Sequence, residues 1–223
     1  MMDYSVLANF FERVENLSGR LDMIEETAEL FRMMITTSPS TLVPCVYLCC
    51  NTLWPAYMGR ELGIGDTILI KAISLLTNET PTNLKLKVKT VGDLGKVTEE
   101  LLSKKKETPK KPLTIKHVFE ELRALTLMQG KAVVNKKVLS IQNLLTSSQG
   151  CESKFLIRCI QGKMRIGLQE SSVIKALAKA LVSTKPDLAP SVEKATKAIE
   201  QAYVELPNHD LVIPCLLSVP ISV

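Results

Sequence analysis

The stretch Phe10-Phe11-Glu12-Arg13-Val14-Glu15-Asn16-Leu17-Ser18-Gly19-Arg20-Leu21 decides the fold class. Phe10, Phe11, Val14 and Leu17 recur at the three-and-four spacing that gathers side chains on one face of a helix. After the Ser18-Gly19 break the spacing resumes at Ile24, Ala28, Phe31, Met34 and Ile35. Two amphipathic helices packed by these faces are expected. Thr37-Ser38-Pro39-Ser40 ends the second and caps the next, since a serine oxygen accepts from first-turn amides and Pro39 cannot continue a helix. A third helix is predicted over roughly 41–53, and others near 66–77, 91–103, 114–128, 135–146, 151–161, 170–183, 190–204 and 209–217. The only clear period-two alternation, Lys85-Leu86-Lys87-Val88-Lys89, is short and isolated, and a strand there would lack a partner. The predicted class is all-α.

With 223 residues, 46% of them apolar and 23% charged, the chain has the composition of a folded globular protein rather than a disordered one. Its net charge of +5 and isoelectric point near 8.8 favour polyanionic partners, mildly. No stretch approaches the roughly 20 apolar residues that span a bilayer, and Met1-Met2-Asp3-Tyr4 lacks the basic start of a signal peptide. The six cysteines show no paired C-x-x-C spacing, and His117 and His209 are the only histidines, so no metal site is expected. The thiols sit in apolar surroundings and read as reduced core residues of a cytosolic or nuclear protein. Phosphate-binding loop, nucleophile-elbow, zinc-protease and dinucleotide signatures are all missing, and no catalytic residue is assigned.

The organisation expected is two lobes, about 1–103 and 113–217, joined by a basic, proline-containing linker at 104–112 and followed by a tail at 218–223. A weak internal echo links the halves: Leu62-Gly63-Ile64-Gly65 precedes a helix with Ile70-Lys71-Ala72, and Arg165-Ile166-Gly167-Leu168 precedes one with Ile174-Lys175-Ala176.

Glycine-bearing turns that feed a helix leave backbone amides at the positive end of the helix dipole, a surface that accepts phosphate without reading bases. One such turn is Gly63-Ile64-Gly65-Asp66, with Asp66 as the candidate N-cap; a mere helix connection fits it equally well. The stronger one is Gly162-Lys163-Met164-Arg165-Ile166-Gly167-Leu168. In an extended segment Lys163 and Arg165 would point one way and Met164 and Ile166 the other. Lys136 and Lys137, with Gly130-Lys131 before them, open another helix with cations that oppose its dipole and suit an external anion.

Taken in order, Phe10-Phe11-Glu12-Arg13-Val14-Glu15, Ser18-Gly19-Arg20-Leu21, Glu61-Leu62-Gly63-Ile64-Gly65-Asp66, Gly92-Asp93-Leu94-Gly95, Lys136-Lys137 and the 162–168 turn resemble the N-terminal DNA-binding domain of eukaryotic ATP-dependent DNA ligases, from about Tyr4 to Leu217. The resemblance implies a helical domain of two pseudo-symmetric lobes on the minor-groove face of nicked double-stranded DNA. It would act as a monomer, with catalytic ligase domains in cis if a longer chain exists, in nuclear (or cytoplasmic) DNA replication, repair and recombination. Gly63 and Gly65 would offer amides in one lobe, Gly162, Lys163, Arg165 and Gly167 would form the matching turn in the other, and Lys136 and Lys137 would neutralise phosphates. The family's K-x-D-G adenylation lysine has no counterpart in this sequence. Ligation by this chain alone is not expected, and ATP and magnesium would belong to a catalytic domain that it lacks. The segment 185–190 is shorter than the family pattern, and the chain stops at Val223, as a fragment, a truncated gene or a free-standing paralogue would. The competing expectation is a helical scaffold for protein partners that does not bind DNA.

Overall fold

The computed structural model describes residues 2–104, 111–186 and 191–218. Most of the expected linker, the 187–190 part of the shortened segment and nearly all of the tail lie outside them. Twelve α-helices make up the described fold: α1 Tyr4–Glu15, α2 Arg20–Thr37, α3 Leu42–Cys49, α4 Asp66–Thr77, α5 Pro81–Val91, α6 Leu94–Ser103, α7 Ile115–Leu127, α8 Val133–Thr146, α9 Glu152–Ile160, α10 Glu170–Thr184, α11 Val192–Glu205 and α12 His209–Ser218. The only β-type pairing among the described residues is a single antiparallel bridge between Asp3 and Thr114. The class is all-α.

Two compact units emerge from the packing. One comprises Met1–Met2, Phe10–Arg60 and Ile166–Val223; the other comprises Asp3–Asn9 and Glu61–Arg165. They interleave along the chain, so neither is a continuous half such as 1–103 or 113–217. Packing preference is the cause: α2 finds its main partner in α10 and α6 finds its own in α9, and each pairing joins residues from either side of the 104–112 segment.

In the first unit Phe10, Phe11, Phe31, Met34 and Leu42 are almost wholly buried, as their helical spacing requires. The Ser38 junction differs in detail from the expected cap. Ser38 makes no side-chain bond to a helix amide; its hydroxyl pairs with Thr41 Oγ1 at 2.7 Å, across a 3-10 turn at Pro39–Thr41 that leads into α3. Helix α3 is shorter than the 41–53 expectation and stops near Asn51, which adopts a left-handed φ of 52°.

In the second unit, α4 packs on α8 and α6 on α9. Lys85 to Lys89 lies in α5, not in a strand. Thr80 caps that helix by accepting from the Asn83 amide, Pro81 occupies its first turn, and Gly92 ends it at φ 76°. Leu84, Lys87 and Val88 face inward at helical spacing. The helix expected to begin at residue 91 begins at Leu94, because Gly92 breaks the chain and Asp93 caps the new start through the Gly95 and Lys96 amides.

Candidate nucleic-acid interface

In the second unit the chain leaves α9 through a glycine stop. The Lys163 amide donates to the Arg158 carbonyl at 2.9 Å and the Gly162 amide to Cys159 at 3.0 Å, with Gly162 at φ 69°. This is a Schellman-type C-cap. Gly162 thus shapes the turn, and its amide, like that of Lys163, is used in closing the helix. The alternation after it is as expected, for Met164 and Ile166 are buried while Lys163 and Arg165 are exposed. The backbone is not simply extended there, since Arg165 sits at φ 57°. A left-handed residue without glycine's freedom costs roughly 1 kcal/mol or more and persists only where its surroundings fix it.

The surroundings that fix it are buried. Arg158 is 1% exposed and donates through Nε at 3.0 Å and Nη2 at 2.7 Å to Asp93 Oδ2, while Nη1 donates to the Met164 carbonyl at 3.3 Å. Asp93 Oδ1 accepts from the Gly95 and Lys96 amides at 2.9 and 3.3 Å. Burial pushes the Asp93 carboxyl up, but the Arg158 bonds and charge, the Lys96 amide and Arg165 outweigh it and hold the group below the usual aspartate value.

The other turn, Gly63 to Asp66, lies in the same unit, not in a separate lobe. Gly63 has φ 56°, Gly65 is extended and occupies the N-cap position of α4, and Asp66 is the first helical residue rather than the cap. Among the described residues, the Gly63, Ile64, Gly65 and Asp66 amides donate to no protein acceptor. Gly63, Gly65 and Asp66 are exposed, and a Cβ at Gly65 would meet nothing within 4 Å, so the backbone is open to close approach. Gln161 Nε2 donates to Asp66 Oδ1 at 2.7 Å, which links this turn to the residue just before Gly162.

Lys136 is exposed near the start of α8, as expected. Lys137 is not: it is 9% exposed, and its ammonium donates to the Leu62 carbonyl at 2.7 Å. At about 100° per residue, the step from Lys136 to Lys137 passes from the exposed side of α8 to its packed side. Lys137 holds the 62–65 turn from beneath.

Gly167 belongs to the first unit, with φ 69°. The sequence echo extends to its backbone. Gly63 and Gly167 are both left-handed, Gly65 and Gln169 are both extended N-caps, and Asp66 and Glu170 each begin a helix. In the first unit a Cβ on Gly167 would lie 3.4 Å from Met23 Cε of α2, and Arg20 bonds Ser171 and Ser172 in the first turn of α10.

Charge divides unequally between the units. The unit containing Glu61–Arg165 holds nineteen of the 28 Lys and Arg but eleven of the 23 Asp and Glu, so it carries +8 where the other carries −3. The described residues contain no cluster of metal-binding side chains and no helix long and apolar enough to cross a membrane. None of the six cysteines is in a disulfide.

A profile described as DNA ligase N terminus matches residues 3–178. The chain is 36% identical to DNA ligase 1 of Dictyostelium discoideum, an alignment that covers 97% of this chain and 20% of that protein. It is 37% identical to DNA ligase 1 of Saccharomyces cerevisiae, over 94% of this chain and 29% of that one. With DNA ligase of Saccharolobus solfataricus the identity is 32%, over 91% of this chain and 33% of the relative. The chain thus spans a fifth to a third of the length of these relatives. On the strength of that match, and of an all-helical fold that agrees with it, this chain belongs to the DNA ligase N-terminus family.

Proposed function

We propose that the chain binds double-stranded DNA, nicked duplex above all, through phosphate and minor-groove contacts that do not depend on sequence, as the DNA-gripping part of an ATP-dependent DNA ligase. One observation carries this reading. The undonated amides of residues 63–66 and the exposed cations Lys136, Lys163 and Arg165 belong to the one unit that holds all the net positive charge. Amides at a helix start and clustered cations bind phosphate whatever the bases.

On this reading the chain works as a monomer in nuclear DNA replication, repair and recombination. Bond formation, with its ATP and magnesium, falls to catalytic domains carried in cis. What this chain supplies is grip and orientation. Gly63 and Gly65 present main-chain donors, Lys136, Lys163 and Arg165 neutralise phosphates, and Gly162, Gly167 and Lys137 shape the turns that carry them.

The test is fluorescence anisotropy of the chain titrated against nicked duplex, intact duplex and single strand at low and physiological salt. Duplex binding that weakens steeply with salt is expected, because each neutralised phosphate releases counterions. Binding that does not respond to salt, or none at low salt, would reject the proposal in favour of a helical scaffold for protein partners.

A further inference from the structure

Each turn of the proposed interface is held from behind by a buried cation, and neither cation faces solvent. Lys137 donates to the Leu62 carbonyl, one residue before Gly63. Arg158 donates to the Met164 carbonyl, between Lys163 and Arg165. A cation on the inner carbonyl fixes the rotation of that peptide and therefore the direction in which its neighbours point. Arg158 is itself locked: two of its nitrogens meet Asp93 Oδ2, and Asp93 is anchored by its cap bonds to the start of α6. Next to the anchored carbonyl lies Arg165, the one residue of this turn without glycine's freedom that adopts a left-handed φ.

We infer that Arg158, clamped by Asp93, is a positioning residue for duplex binding: it sets the Lys163–Arg165 presentation through the Met164 carbonyl and never touches the nucleic acid. Lys137 does the same for the Gly63–Gly65 turn through Leu62. This inference rests on the proposed DNA binding, but it has a consequence that is independent of DNA, in the rigidity of the turn.

The primary variant is Arg158→Lys. It keeps a cation beside Asp93, so the buried carboxylate stays paired, but a single ammonium cannot span both Asp93 Oδ2 and the Met164 carbonyl. The second variant, Arg158→Met with Asp93→Asn, removes both charges together and retains an oxygen to cap α6, which protects against loss of folding through an orphaned buried charge.

Two readouts apply to the variants that melt cooperatively. Backbone 15N order parameters in the free protein should fall at residues 164–167 and remain as in wild type across α6 and the body of α9. Duplex affinity at fixed salt should fall about tenfold, and this loss should vanish in a Lys163→Ala/Arg165→Gly background, because residues coupled through one turn give non-additive effects. A loss that is additive in that background, or a turn that stays as rigid as in wild type, would overturn the inference. If wild type itself does not bind duplex, the proposed function fails, and the order parameters alone still decide whether Arg158 holds the turn.

Discussion

A Cβ built on Gly95 would lie 2.7 Å from the Lys154 carbonyl oxygen, so α6 and α9 approach one another at a point where only glycine fits. The contact is backbone to side chain and cannot be relieved by a rotamer change. Gly95 stands beside Asp93, and the close approach of these two helices is what lets Arg158 reach that carboxylate.

Gly95→Ala should therefore lower stability by about 1–3 kcal/mol, the range typical of overpacking, despite alanine's better helix propensity. Chemical denaturation of the two proteins measures it. A variant as stable as wild type would show that α6 can shift away from α9 at no cost.

Phe11→Ala and Phe31→Ala act on the other unit. Both rings are at most 1% exposed, and truncation there should cost roughly 3–5 kcal/mol. Any loss of DNA binding should then follow the unfolded fraction and disappear at temperatures where the variant is folded. Weak binding by a fully folded Phe31→Ala protein would place that region in the interface instead.

What could be read from the sequence was what depends on local periodicity. Phe10, Phe11, Val14, Phe31 and Met34 marked the buried faces correctly, and Met164 and Ile166 marked the inward side of the turn. The missed elements depend on partners distant in sequence. Arg158 lies in a helix whose every residue is buried, yet its role comes from Asp93, 65 positions earlier. Nothing in residues 151–161 points to that carboxylate. Lys137 looks like a solvent cation in its local sequence because its burial depends on where α4 lies against α8. The α5 helix is legible in Thr80-Pro81 and Gly92, ordinary start and stop signals that the short lysine alternation between them masks. Gly162 stands just past the helix expected over 151–161, where a glycine stop belongs.

The salt dependence separates the two units. Lys163→Ala with Arg165→Gly removes two exposed cations while glycine keeps the left-handed backbone of residue 165. The slope of log affinity against log salt should become shallower by about two, roughly one for each lost phosphate contact. Lys194→Ala with Lys197→Ala removes the same charge from the acidic unit and should leave the slope as in wild type. Equal flattening by both pairs would mean that binding answers to total charge and not to the 162–167 turn.

His209 gives the first unit a pH signature. Its ring packs edge-on to Tyr47 and Tyr203, at centroid distances of 4.5 and 5.0 Å, and Nδ1 pairs with the Tyr203 hydroxyl at 2.8 Å. Burial lowers its pKa to about 4, against a smaller upward pull from Asp210. The unfolded chain titrates near 6.5, so the unfolded state takes up the proton first as pH falls. The histidine's contribution to stability should decline between pH 6.5 and 4 by up to ~3 kcal/mol and level off below, where both states are protonated. The lowered Asp93 carboxyl acts in a separate window. Its contribution is present above the unfolded value and is lost only as pH falls through the lower folded one. Urea unfolding of wild type and His209→Gln across pH 4 to 7 isolates the histidine, because every other group cancels in the difference. The gap between the two proteins should change by most of that amount over this window; a constant gap would show that His209 is protonated as readily in the folded protein as in the unfolded chain.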